Sequence, residues 1–239
     1  MKQAIIFLSL FCIISCRQEQ AKPTSSLGIT VLNDVTDPRM IKPDAEFPLA
    51  LCELDKEKNK AVFFRLTSTT DMLLNPAWEL YLSTAAMMEK ENSTDDPYFR
   101  EKHVLAFYDK VRQVTENNNT NAIDSTRYKH SECFRSICRE IELLQKKKWT
   151  SSILIIYSDL QENSDIENMY NQDTIDTAKI KQDFSKTKLL SGNLSRLSAY
   201  FIFQPKNREE DKRFMAMYEI YQKLLEEKGA NVFLQSGNN

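Results

Sequence analysis

Glycine and histidine are scarce in this chain, with four glycines and two histidines among 239 residues. So few glycines leave no glycine-rich loop to cradle a phosphate, and no Gly-x-Ser-x-Gly turn exists to present a serine nucleophile. His103 and His130 fall in different segments, which argues against a zinc site or a histidine acid–base pair and suits a surface or capping role. Basic excess is missing too. The 32 Lys and Arg are matched by 34 Asp and Glu, for a net charge of −2, and that balance excludes nucleic acid as a default partner. The apolar run at the start, Ala4 to Ile14, is shorter than the roughly 20 residues that a helix needs to cross a bilayer.

What is present begins with that run. Lys2 precedes it, Ser15 and Cys16 close it, and the polar stretch Arg17 to Gln20 follows, which is the layout of an export signal. Ile13-Ile14-Ser15-Cys16 resembles the lipobox of bacterial lipoproteins. The resemblance implies that residues 1–15 are removed as a signal peptide and that Cys16 carries a covalent lipid anchor. Multiple acyl chains would make that anchor stable, since each buried methylene contributes about 0.8 kcal/mol and one chain is marginal. Residues 16–26, rich in Gln, Lys, Pro, Thr and Ser, read as a tether to a folded body over 27–239. Losing Lys2 moves the net charge to −3, so the body as a whole has no attraction to anionic lipid beyond its anchor.

Cys52, Cys133 and Cys138 remain, an odd set in a compartment that can oxidise thiols. The last two are five apart on an expected helix, on different faces, so buried thiols are favoured, with a bridge from Cys52 left open. Lys146 to Lys148 end that helix, where positive charge complements the helix dipole, with a binding patch as the alternative reading.

Apolar spacing sets out the elements. Ile29 to Asn33 is a strand that stops at Asp34-Val35-Thr36-Asp37-Pro38, and Asp44 to Asn59 is expected to hold a helix. Ala61 to Thr69 and Trp78 to Thr84 read as a β-hairpin. Val104, Phe107, Tyr108, Val111 and Val114 fall at helical spacing, as do Phe134, Ile137, Cys138, Ile141 and Leu144 in a helix from about Ser131 to Lys148. Ile153 to Tyr157 is a continuous β-branched run, as a strand covered on both faces requires, and Asp159 follows it. A helix is expected within 161–191, then a strand over Leu197 to Phe203. Phe214, Met217, Tyr218, Tyr221 and Leu225 mark a last helix closed by Gly229, before a strand over Val232 to Leu234. This alternation predicts an α/β fold, a doubly wound and mostly parallel sheet with helices on both faces.

In such sheets ligands bind beyond the carboxyl ends of the strands. Asp34 follows the first strand, Asp159 follows the central one, and Ser131 opens the helix before it. Over roughly 27–236 this layout resembles the von Willebrand factor A family. Its metal-dependent adhesion site uses Asp-x-Ser-x-Ser after the first strand, a later Thr or Ser, and an Asp after the central strand. The resemblance carries Asp34 and Thr36 onto the first two places, Ser131 onto the loop hydroxyl and Asp159 onto the last, with Pro38 standing where the second serine would be. It implies Mg2+, or Mn2+ or Ca2+, held by carboxylate, hydroxyl and water oxygens.

The function expected from these features is a membrane-anchored, non-enzymatic binding module of the cell envelope with a protein or envelope partner. A metal-assisted hydrolase using the same carboxylates is the alternative, as is a metal-free scaffold in which Asp34 and Asp159 only hold loops.

Overall fold

The computed structural model describes residues 25–36, 40–57, 59–70, 75–84, 99–120, 130–170, 172 and 174–236. The expected signal at residues 1–15, Cys16 and Pro38 lie outside the described residues. Six strands form one sheet among them: β1 Ser26–Asp34, β2 Ala61–Thr69, β3 Ala77–Leu82, β4 Ser151–Tyr157, β5 Leu197–Phe203 and β6 Asn231–Ser236. Their order is β3-β2-β1-β4-β5-β6, and every pair is parallel except β2 with β3. The hairpin read from the sequence is that one antiparallel pair.

Among the described residues five helices cover the two faces: α1 Glu46–Cys52, α2 Phe99–Thr120, α3 Cys133–Lys146, α4 Thr177–Lys186 and α5 Arg208–Glu226. In β4, Ile153, Ile155 and Tyr157 join the core beneath α1 and α2, while Leu154 and Ile156 join the core beneath α3, α4 and α5. Both parities of the strand are therefore buried, which is why the segment is apolar throughout rather than alternating. The fold is the doubly wound α/β architecture expected from the sequence.

Two helices are shorter than the spacing suggests. α1 stops at Cys52 because Glu53 turns left-handed, at φ 49°, and the chain leaves the helical path. α3 begins at Cys133 rather than Ser131, because Ser131 exchanges two backbone hydrogen bonds with Asn163, at 3.1 and 2.9 Å, and is held in extended pairing. At the far end of α5, Gly229 takes φ 93° and Ala230 N–H returns to the Leu225 carbonyl at 3.1 Å, the left-handed stop that glycine permits.

Cys52, Cys133 and Cys138 are free and buried, as expected, and burial pushes the Cys52 thiol up to about 12. His103 and His130 are both exposed. No helix among the described residues is long and apolar enough to cross a membrane.

Candidate functional site at the strand ends

β1 and β4 are neighbours in the sheet, and the chain leaves them toward opposite sides. Their carboxyl ends therefore form the crevice where the strand order reverses. Asp34 is the last residue of β1 and only 2% exposed. Its Oδ1 accepts hydrogen bonds from the Thr36 N–H, at 3.0 Å, and from the Thr36 hydroxyl, at 2.6 Å. Its Oδ2 accepts from the Ser158 hydroxyl at 2.8 Å, directly across from β1. Register explains that contact: Asn33 pairs with Tyr157, so the next residue of each strand falls side by side.

Asp159, the second residue beyond β4, accepts the Gln161 N–H at 3.0 Å and the Gln161 amide at 2.8 Å. The Gln161 carbonyl oxygen then accepts from Arg213 of α5, whose guanidinium also donates to the Met169 and Gln172 carbonyls. Thr36, Asp159, Gln161 and Arg213 line one cavity of about 530 Å³. Asp34 and Thr36 are thus bonded to each other, and Thr36 and Asp159 line the same cavity, whereas Ser131 is not among its lining residues and is tied by its backbone to Asn163 in the loop after β4. The Ser131 hydroxyl is buried and has no hydrogen-bond partner, and the same is true of the Thr69 hydroxyl at the end of β2.

Among the described residues no group of three or more His, Cys, Asp or Glu is arranged to hold a metal ion. The four expected donors are two carboxylates and two hydroxyls, all oxygen, which is the donor chemistry that a hard divalent cation prefers. Those residue types fit such an ion.

No family model matches this sequence, and no curated protein matches it. The site therefore rests on its own geometry.

Beneath the crevice lies a polar cluster that sequence reading missed. The Cys133 thiol stands 3.6 Å from the Ser158 hydroxyl, and Glu162 is fully buried with one carboxylate oxygen accepting the Phe134 N–H at 2.8 Å. Glu162, not Ser131, satisfies that donor at the start of α3. Ser158 was legible in principle, since it stands directly between the last strand residue and Asp159. Glu162 sits in a polar stretch with no apolar period, so nothing local marks it as interior.

Burial pushes the Glu162 carboxyl from its ordinary 4.5 up to about 7, against the lowering pull of Ser164 and of the Phe134 N–H. A carboxyl whose folded value stands above its unfolded one favours the fold while protonated. Its contribution is complete below about 4.5 and is lost as pH rises through about 7. Glu162→Gln should remove this slope, so the difference in urea midpoint between variant and wild type should grow from pH 4.5 to 7.5. A constant difference across that window would disprove the assignment.

Proposed function

We propose that this chain is an exported, membrane-anchored lipoprotein of the bacterial cell envelope, tethered through a lipid on Cys16, whose α/β body binds a protein or envelope partner at the strand ends. In this reading the resemblance to the von Willebrand factor A family extends to the site. Asp34, Thr36, Ser131 and Asp159 hold Mg2+, with Mn2+ or Ca2+ as substitutes, and a water oxygen takes the place that Pro38 leaves without a side-chain ligand.

The observation that supports it best is the buried Ser131 hydroxyl with no partner, on a segment whose backbone pairs with Asn163 in the loop after β4. A buried polar atom left unpaired costs about 1–3 kcal/mol, and a bound cation is one partner that would satisfy it. A bound ion would supply a positive point on which a partner's carboxylate could close.

Calorimetric titration with Mg2+, Mn2+ and Ca2+ tests this. Wild type should give a saturable heat that the Asp34→Ala, Asp159→Ala double variant loses. Asp159→Asn, with its neutral isosteric side chain, should weaken binding while leaving the melting temperature near wild type. A double variant that binds the ion as tightly as wild type would overturn the metal-centred reading.

A further inference from the structure

The other end of the sheet carries a second surface, made visible by where β1 begins. The Ser26 N–H donates to the Thr150 hydroxyl at 2.8 Å, and the Thr150 N–H donates to the Ser26 hydroxyl at 3.1 Å. The chain arriving from Cys16 is therefore fastened beside the turn Lys146-Lys147-Lys148 that ends α3. Only residues 17–25 separate Cys16 from that point, and fully extended they span roughly 30 Å.

Around this point the cations are solvent-facing. Lys146, Lys147 and Lys148 are exposed, and so is Arg196, which lines a cavity of about 390 Å³ together with Lys148 and Trp149. Among the described residues Lys147, Lys148 and Arg196 have no carboxylate partner. Acidic side chains on neighbouring segments are engaged elsewhere: Glu142 with Lys146 at 2.7 Å, Glu57 with Lys60 at 3.0 Å, and Glu227 with Lys181 at 2.5 Å. Aromatic rings flank the turn. Trp149 stacks on Phe63 with centroids 5.6 Å apart, Lys147 lies over the Phe63 ring, and Tyr81 is 52% exposed with its ring 6.5 Å from Trp149. Clustered cations beside an exposed tyrosine match the headgroup zone of a bilayer, where phosphate charge and amphipathic rings meet.

We infer that Lys147, Lys148 and Arg196 form a membrane-facing surface that docks this end of the domain on anionic phospholipid headgroups. This inference rests on the lipid-anchor reading, because the anchor is what holds this end within reach of a bilayer. It also sets an orientation: the strand ends bearing Asp34 and Asp159 face away from the lipid. The overall charge of −3 after signal removal does not oppose it, since screening limits each charge to a range of about 10 Å at 0.1 M salt.

Co-sedimentation of the full Cys16→Ala chain, which has no lipid anchor, with two kinds of vesicle isolates this surface. One kind is pure phosphatidylcholine and the other contains phosphatidylglycerol. The apolar run at the N-terminus acts equally on both, so the readout is the ratio of the two affinities. At about fivefold per basic residue near the surface, three residues predict a preference of roughly a hundredfold for the anionic vesicles. Lys147→Glu, Lys148→Glu, Arg196→Glu should bring the ratio close to one, the matching glutamine variants should fall between, and about 0.5 M NaCl should abolish the preference. Equal affinities for the two vesicles, or a charge-reversed chain that keeps the preference, would overturn the inference, as would binding to soluble polyphosphate but to neither vesicle. Labelling the wild-type chain with a fatty acid reads the anchor separately. A preference for anionic vesicles without label on Cys16 would sink the anchor and leave the docking surface.

Discussion

Glu140→Ala is expected to destabilise the fold by about 3–5 kcal/mol, because it leaves a guanidinium buried without its counter-charge. Arg65 of β2 reaches Glu140 of α3 through two nitrogens, at 2.8 and 3.3 Å, and both side chains are under 10% exposed. Its remaining arm donates to Glu79 on the neighbouring strand β3, which is half exposed and too hydrated to replace the lost partner. The pair itself need not stabilise the molecule relative to apolar residues, since removing two charges from water costs about as much as their attraction returns. Arg65→Met with Glu140→Leu should therefore recover most of the loss. Urea denaturation of the two single variants and the double variant checks both statements. A single variant within about 1 kcal/mol of wild type would show that water reaches the stranded charge.

Phe134→Ala carries the second large effect, a loss of about 3–5 kcal/mol from an emptied aromatic site. Phe134 is fully buried at the start of α3, stacked on Phe184 of α4 with centroids 4.0 Å apart, and 6.2 Å from the Tyr221 ring of α5. One side chain thus ties together the three helices of that face. Its backbone N–H also anchors Glu162, so a cavity there loosens the floor under the strand-end crevice. The expected result is a lower melting temperature and, on the proposed reading of the strand ends, weakened divalent-ion binding, whereas Phe134→Leu, which refills much of the space, should lose less of each. Ion binding unchanged in the alanine variant would show that the crevice is supported independently of α3.

Much of this architecture is legible from adjacent residues. The continuous run Ile153 to Tyr157 announces a strand covered on both faces, the spacing of Phe214, Met217, Tyr218, Tyr221 and Leu225 announces a buried helical stripe, and all of these are interior. Asp34 and Asp159 stand at strand ends as their positions after apolar runs imply. Ser131 was harder, because a serine two residues before an apolar helical pattern looks like a cap whether or not it is one. Its pairing partner, Asn163, lies in a polar loop without periodicity.

The role of Lys146 to Lys148 divides the same way. Sequence alone makes them a favourable end to a helix, and that holds for Lys146, which terminates α3. Their nearness to the start of β1 is a property of sheet order, because β1 and β4 pair across more than a hundred residues of chain. The general rule for this protein follows from range. Period, burial and turn chemistry act over a few residues, so strands, helices and the candidate carboxylates could be read directly. The Asp34–Ser158 contact, 124 residues apart in the chain, the Arg65–Glu140 pair and the lysine turn beside the start of β1 arise only when strands choose neighbours. That choice is made by the packing of two whole cores against one sheet, which no short stretch of sequence contains.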